Sequence, residues 1–225
     1  MILLASKSSG RLATLRAAGV HPLVRVSTVD EPGVLDALAA AHAAAGRPAP
    51  TPAEQVTELA RAKALDVAAT VTDEERAQFP GLVVVGCDSM LELDDQTVGK
   101  PGSPSAARQR WLAMRGRSGV LHSGHVVVRA ADGAVRDGVS STLVRFGTPT
   151  EAEIDAYVAS GEPEGCAGAF TIDGLGGAFI DGIDGDPHGV VGISLPLMRR
   201  LLAELGLRWT DLWSVRAEMT DSQGR

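Results

Sequence analysis

Short apolar, β-branched runs alternate along this chain with longer stretches in which apolar residues recur at helical spacing. Leu82–Val85 is an uninterrupted run of the first kind, typical of a strand buried on both faces. Asp132-Gly133 lies between two further apolar runs and predicts a hairpin turn. The pattern predicts the other strands at Met1–Ala5, Pro22–Val29, Met90–Leu93, Val126–Arg129, Val139–Phe146, Ala169–Ile172 and Ala178–Ile180.

Helices are predicted where apolar residues recur every three or four positions. The clearest begins at Thr51, with a proline at its first helical position and a capping-box glutamate at Glu54, and runs to about Ala69. Thr150 and Glu153 form a second capping box, and Gly161 closes that helix. The remaining helices are predicted after Arg11, with apolar positions at Leu12, Leu15 and Ala18, and over Val34–Ala45, Pro104–Met114 and Leu197–Leu205.

The length of 225 residues predicts one domain with one large core. The alanine-rich segment 34–52, which ends in the connector GRPAPTP, is interpreted as a surface insertion, and residues 220–225 as a frayed tail. No internal repeat divides the chain.

Charge and composition narrow the range of partners. A formal charge of -7 and an isoelectric point near 5.2 argue against nucleic acid or an anionic membrane as the main partner. No apolar run approaches the roughly 20 residues that a transmembrane helix needs. The chain opens without a signal-peptide pattern, so Cys87 and Cys166 are predicted to be free thiols in a reducing cytoplasm.

The stretch Leu82–Pro101 contains the most suggestive chemistry. The run of valines ends at Gly86-Cys87-Asp88-Ser89, and an acid at the end of a buried strand lies where open α/β sheets bind ligands. Lys100 follows on the same ribbon. A carboxylate and an ammonium so placed suit a divalent cation and the phosphate that it binds. The alternative is a surface hairpin with ordinary turn acids, which is the favoured interpretation of Asp94-Asp95.

Two other segments could contribute charged or polar groups. Ser6-Lys7-Ser8-Ser9-Gly10-Arg11 joins a strand to a helix, a geometry that binds anions, although serines that only cap the helix would also explain it. Lys63 falls on the apolar stripe of its helix, so it either extends to the edge of the core or meets an anion. Asp30-Glu31 follows a predicted strand, and these two acids are interpreted either as ordinary loop acids or as metal ligands.

Two patterns are interpreted as structural. His122 and His125 have the spacing of a metal-binding pair but lack the helix and the glutamate, so satisfied structural histidines are the favoured interpretation. Gly174-Leu175-Gly176-Gly177 opens no helix and is not a dinucleotide-binding motif.

In order and spacing, these motifs together resemble the Maf family of nucleoside triphosphate pyrophosphatases. The resemblance extends from Leu3 to Gly206. It rests on LLASKSSGR, the VDE at Val29–Glu31, LARAKA around Lys63, GCDS around Asp88, GKP at Gly99–Pro101, SGVLH at Ser118–His122, YVASGEP and GISLPL.

The resemblance implies a single α/β domain with a long mixed central sheet flanked by helices, of the Maf/ITPase-like kind, usually as a homodimer. It also implies Mg²⁺- or Mn²⁺-dependent hydrolysis of nucleoside triphosphates to the monophosphate and pyrophosphate, with removal of non-canonical nucleotides as the expected role. The alternative is a non-catalytic, nucleotide-binding regulator of septum formation. The roles that the resemblance implies are metal binding by Glu31 and Asp88, catalysis by these two with Lys63 and Lys100, and substrate binding by Ser6, Ser8, Arg11, Ser89 and Asp173.

Three positions depart from the family pattern. Gly10 stands where a first basic residue is common, Ser89 replaces a threonine, and Asp173 replaces a glutamine of the members that prefer dTTP and UTP. A carboxylate presents only hydrogen-bond acceptors to a base, whereas a glutamine amide can also donate. We therefore expect a broad or altered base preference.

Overall fold

Strand pairing creates one mixed sheet, which the other elements cover. The structure is a computed structural model that describes residues 1–213. Within that part the sheet has seven strands in the order β2-β1-β3-β5-β6-β7, with β4 paired to β3. The strands are β1 (Ile2–Leu4), β2 (Leu23–Val24), β3 (Val83–Leu93), β4 (Gln96–Val98), β5 (Ser118–Arg129), β6 (Val135–Phe146) and β7 (Ile180–Asp184).

Helices lie on both faces of this sheet, as the packed residues show. Leu15 and Met198, from helices α1 and α8, join the core on one face with Val85, whereas Ala60 and Ala64 of α3 pack against Val84 on the other. The helices are α1 (Ser9–Ala17), α2 (Glu31–Ala44), α3 (Pro52–Ala68), α4 (Asp73–Gln78), α5 (Pro104–Met114), α6 (Glu151–Ala159), α7 (Pro187–Val191) and α8 (Leu195–Glu204). The expected α/β domain with a long mixed sheet flanked by helices is confirmed.

β1, β2 and β3 are parallel, and β3, β5, β6 and β7 pair antiparallel. The register of β3 with β5 runs without interruption from Val83 opposite Arg129 to Glu92 opposite Val120. The sequence predicted one strand that ends before Asp88 and a second strand at Met90–Leu93. That prediction was wrong, because both are parts of the single strand β3. Pairing with β5 continues the strand through its polar residues, and Asp88 lies in its middle.

The strand predicted at Pro22–Val29 is shorter than expected. Only Leu23–Val24 of Pro22–Val29 is a strand, because β2 is at the sheet edge and its single partner, β1, has three residues. Asp30 consequently precedes a helix rather than ending a strand, and Glu31 is the first residue of α2.

The glycine-rich region also differs from prediction. Ala169–Ile172 is not a strand, and of Ala178–Ile180 only Ile180 is in one, as the first residue of β7. The rest of the region forms 3₁₀ turns at Glu162–Gly165, Ala167–Ala169 and Leu175–Phe179. Gly168 and Ala169 have φ angles of 72° and 64°, and this left-handed backbone is incompatible with a strand. A further 3₁₀ turn spans Trp209–Leu212.

The predicted caps and turns are confirmed where the structure describes them. Thr51 and Thr150 form reciprocal capping boxes with Glu54 and Glu153, and Gly133 at the hairpin turn has a φ of 72°. Segment 34–52 contains most of α2 and the connector, and its status as an insertion stays a prediction. The tail 220–225 lies outside the described residues. No helix within residues 1–213 is long and apolar enough to cross a membrane.

Candidate active site

Lys63 and two carboxylates form the centre of the site. Lys63 Nζ lies 2.5 Å from Asp88 Oδ1 and 2.7 Å from Glu31 Oε1. The Lys63 and Asp88 side chains are 11% and 12% exposed, whereas that of Glu31 is 52% exposed. A buried ammonium is tolerated only when opposite charge surrounds it. The sequence left two interpretations of Lys63 open, and the structure supports the one in which its ammonium meets anionic groups.

Two glycines allow α3 to approach the sheet closely enough for this contact. A Cβ at Gly86 of β3 would overlap the Ala60 carbonyl oxygen and lie 2.8 Å from the Ala64 nitrogen. A Cβ at Gly124 of β5 would lie 2.7 Å from the Thr57 nitrogen. Only a residue without a side chain lets a helix backbone lie this near two adjacent strands. The position of Lys63 therefore depends on both glycines.

The charges around Glu31 are mainly positive. Partial burial raises the pKa of Glu31, but the hydrogen bond and charge of Lys63, followed by the charges of Lys100 and Lys7, outweigh it. The pKa of Glu31 lies below its ordinary value, so this side chain is ionised at neutral pH. Three lysines thus contribute positive potential at one carboxylate.

Glu31 and Asp88 could contribute carboxylate oxygens to a magnesium or manganese ion. Each uses one oxygen for Lys63, and Glu31 Oε2 and Asp88 Oδ2 receive no hydrogen bond from residues 1–213. The described residues contain no cluster of three or more His, Cys, Asp or Glu side chains placed for a metal. Mg²⁺ is commonly held through one or two carboxylates together with water and substrate phosphates. Two free carboxylate oxygens suit that mode of binding.

The loop between β1 and α1 lies beside this cluster. Ser6 Oγ accepts hydrogen bonds from the Ser8 N–H at 3.2 Å and from Arg11 Nη1 at 3.0 Å. Ser8 is the N-cap of α1, and its hydroxyl oxygen accepts the Arg11 N–H at 3.4 Å. The capping role is therefore present in this loop, and anion binding by the loop stays a prediction.

Arg11 makes more contacts with the protein than the sequence suggested. Its guanidinium donates to the Cys87 carbonyl at 2.8 Å, to the Gly192 carbonyl at 2.9 Å and to Ser89 Oγ at 3.1 Å, besides Ser6. Ser89 Oγ lies 2.7 Å from Ser123 Oγ. Arg11 and Ser89 thus join the first loop, β3 and the α7–α8 connection, and much of their hydrogen-bonding capacity is used within the protein.

Lys100 and Asp173 are on separate loops that border the site. The Gly99 carbonyl accepts hydrogen bonds from the Gly168 N–H at 3.1 Å and from Arg110, which holds the backbone beside Lys100. Asp173 Oδ1 accepts the Thr171 hydroxyl. Its other oxygen, Oδ2, lies 3.5 Å from where a Cβ on Gly10 would be. The Asp173 carboxylate therefore faces the space that the glycine at position 10 leaves open.

Sequence comparison identifies the family. The model of the family described as Maf-like protein matches residues 1–205. The chain belongs to the Maf-like family. Proteins named nucleoside triphosphate pyrophosphatase are 53% identical over 216 residues in Mycobacterium sp. (strain JLS), covering 95% of this chain and 98% of the relative, and 54% identical over 214 residues in Saccharopolyspora erythraea, covering 93% and 95%.

A relative of the same name from Streptomyces coelicolor is 51% identical over 213 residues, covering 95% of this chain and 94% of its own. The crystal structure of a nucleoside-triphosphatase / dITP/XTP pyrophosphatase from Mycobacterium abscessus aligns with 64% of this chain and 73% of that chain, at a TM-score of 0.32 and 15% identity. That likeness is too distant to carry an argument.

Sequence reasoning missed two residues of this Maf-like protein. Lys7 lies in the first loop and its charge acts on Glu31, and the signal for it was its place in LLASKSSGR. Glu162, in the YVASGEP motif, accepts hydrogen bonds from the backbone of the loop that carries Asp173. No pattern of spacing reveals that contact, because 13 residues separate Glu162 from Leu175.

His122 and His125 of the Maf-like chain have partners on both ring nitrogens, as expected of structural histidines. His122 lies 2.8 Å from Glu92 Oε2 and from Ser141 Oγ. His125 contacts the Ser123 carbonyl oxygen at 3.0 Å, and its Nε2 accepts the Ser194 N–H at 2.8 Å. Cys87 and Cys166 are free thiols, also as predicted.

Proposed function

We propose that the protein hydrolyses nucleoside triphosphates to nucleoside monophosphate and pyrophosphate. The observation that carries the proposal is Lys63 bound between Asp88 and Glu31, with further lysines near, in a member of the Maf-like family. The names of its relatives, about half of whose residues are identical, support the same reaction. Phosphoryl transfer depends mostly on positioning and charge stabilisation, which such a cluster supplies.

Asp88 acts as the general base in this proposal. Its Oδ2 is not bound by the described residues and is available to accept a proton from the attacking water. Lys63 holds the carboxylate in place through Oδ1. Because β3 and α3 are both packed into the core, the base sits on a rigid support.

The triphosphate is held by cations on three elements. Lys63 and Lys100 contact its phosphates, Arg11 contributes charge beside the first loop, and the amides and hydroxyls of that loop, with Ser6 and Ser8, bind phosphate oxygens. Ser89 contributes by orienting Arg11. Held by Glu31 and Asp88, Mg²⁺ or Mn²⁺ would neutralise phosphate charge and make water more acidic.

Asp173 contributes to base selection in this proposal. With Oδ1 occupied by Thr171, Oδ2 remains as an acceptor toward Gly10. A carboxylate favours bases that present donors, such as the cytosine amino group or the N1–H and amino group of guanine. It disfavours the carbonyls of uracil and thymine. Such a preference suits an enzyme that removes modified or non-canonical nucleotides.

The setting inferred from the sequence completes the proposal. The enzyme works as a cytoplasmic homodimer on free nucleotides, without nucleic acid or a membrane as partner. Light scattering on a gel-filtered sample measures the oligomeric state, and a monomer at micromolar concentration would contradict the dimer.

The decisive test follows the products in H₂¹⁸O. With a nucleoside triphosphate and Mg²⁺ we expect equal amounts of monophosphate and pyrophosphate, with the label in the monophosphate because water attacks the α phosphorus. Chelation of divalent cations should stop turnover. Release of orthophosphate without pyrophosphate would disprove the cleavage position. Metal-independent binding without turnover of any common or modified nucleotide would instead favour the regulator.

A further inference from the structure

Glu162 binds the backbone of the loop that follows Asp173. The carboxylate accepts the Leu175 N–H at 3.0 Å through Oε2 and the Gly176 N–H at 2.9 Å through Oε1. Glu162 begins a 3₁₀ turn directly after α6, whereas the amides belong to the separate turn Leu175–Phe179. The two oxygens of one side chain thus hold two consecutive amides of a distant segment.

The loop is shaped to receive this carboxylate. A Cβ on Gly174, the residue after Asp173, would overlap Glu162 Oε2, and a Cβ on Gly176 would lie 2.8 Å from the Thr171 carbonyl oxygen. Neither glycine has a left-handed φ angle. Their requirement for glycine therefore comes from the close approach of other atoms and not from the backbone conformation.

The charge of Glu162 strengthens both contacts. Burial raises the pKa of the Glu162 carboxyl, but the N–H groups of Leu175 and Gly176, followed by the side chain of Tyr157, outweigh it and lower the pKa below its ordinary value. Glu162 is therefore ionised at neutral pH. Hydrogen bonds to a carboxylate are about twice as strong as those between neutral groups.

Asp173 lies at the end of this clamped segment. One of its oxygens is fixed by Thr171, and the other faces the space beside Gly10 and Val191. An added Cβ on Gly10 would lie 3.1 Å from Val191 Cγ1 and 3.5 Å from Asp173 Oδ2, so that space is narrow. A small shift of the loop backbone would move the carboxylate out of it.

We propose that Glu162 is a positioning residue for base recognition: by holding the amides of Leu175 and Gly176 it fixes Asp173 in the orientation that selects bases with hydrogen-bond donors. The inference rests on the proposed hydrolysis of nucleoside triphosphates. Glu162 itself contacts no substrate in this arrangement. Glu162 therefore affects the difference in kcat/KM between nucleotides more than it affects the rate of the chemical step.

The test compares kcat/KM for CTP and UTP in the wild type and in Glu162→Gln. A glutamine has one acceptor oxygen in place of two, so one amide loses its partner. We expect the ratio of the two kcat/KM values to fall about tenfold, the equivalent of about 1.4 kcal/mol, with the loss mainly in KM for CTP. Glu164→Gln is the matched control, because Glu164 lies in the same turn with the same charge and receives no hydrogen bond from the described residues.

A second variant tests the loop from the other side. Gly174→Ala keeps the Glu162 charge but pushes the loop away from the carboxylate, and we expect the same loss of selectivity. The amide proton shifts of Leu175 and Gly176, followed by NMR through a pH titration of the wild type, should report the ionisation of Glu162. These readouts remain informative if Glu162→Gln folds poorly.

The outcomes separate this inference from the proposed function. A lower CTP to UTP ratio in Glu162→Gln and Gly174→Ala, but not in Glu164→Gln, supports it. Turnover with an unchanged ratio in both variants overturns the role of Glu162 alone. Equal kcat/KM for the two nucleotides in the wild type overturns base selection by Asp173 together with the role of Glu162, and leaves the hydrolysis itself standing. Absence of turnover in the wild type overturns the proposed function and this inference with it.

Discussion

Gly86→Ala should separate Lys63 from Asp88 without changing either residue. The new Cβ would overlap the Ala60 carbonyl oxygen and lie 2.8 Å from the Ala64 nitrogen. Restoring van der Waals contact requires α3 to move outward by roughly 1 Å. The Nζ–Oδ1 distance of 2.5 Å would then approach about 3.5 Å, the limit of a hydrogen bond.

Two measurements test this reasoning. Overpacking of a core costs about 1–3 kcal/mol, so the free energy of unfolding from urea titration should fall by that amount. A displacement of about 1 Å at a catalytic group can cost about 10²-fold in rate, and we expect a loss of that size in kcat. Gly165→Ala is the control, since nothing lies within 4 Å of its Cβ position. A Gly86→Ala protein with the stability and rate of the wild type would refute the claim that close packing of α3 positions Lys63.

Further predictions concern the base, a buried histidine and a helix cap. Asp88→Asn keeps the shape but removes the basic oxygen, so turnover should fall by about 10²–10⁴-fold while circular dichroism stays unchanged; a wild-type rate would contradict the assignment. Burial, and then the charge of Arg11, lowers the pKa of His125 to about 4, whereas an unfolded histidine titrates near about 6.5. The unfolded state therefore binds more protons in this window, so the stability is full above about pH 6.5 and falls by roughly 3 kcal/mol as the pH decreases toward 4. The free energy of unfolding, measured by urea titration at several pH values, should lose this part of its pH dependence in His125→Gln. A pH dependence equal to that of the wild type would contradict the prediction. Thr150→Ala removes the N-cap of α6 and should lower the free energy of unfolding by about 1 kcal/mol, measured against Thr148→Ala.

Local signals in the sequence predicted the helices better than the strands. Thr51 and Thr150 mark helix starts because a cap and its glutamate satisfy orphan N–H groups within one turn. The length of a strand depends on how many residues of the neighbouring strand can pair with it. The length of β3 follows from its ladder with β5, and the shortness of β2 from that of β1, and neither is visible in the strand's own residues.

The same distinction holds for the site. Lys63 on an apolar helix face and Asp88 after a valine run are local anomalies, and the structure brings them together. The internal contacts of Arg11 with Cys87 and Gly192 could not be predicted, because they join segments 76 and 181 residues apart. Resemblance to a family supplied candidate roles, but not which hydrogen bonds these residues already make within the protein.

The position of the site follows from where the parallel part of the sheet stops. β1 pairs with β3 only at Val83–Val85, and β4 pairs with it again at Leu91–Leu93. Between them, β3 has no strand neighbour on that side among the strands of residues 1–213, and Arg11 donates there to the Cys87 carbonyl. Ligands of α/β sheets bind beyond the carboxyl ends of parallel strands. The sequence argument assigned Asp88 to such an edge because it expected the valine strand to end there. The strand that ends there is β1, whereas β3 continues past it with Asp88 in its middle; a ligand-binding role for Asp88 stays a prediction.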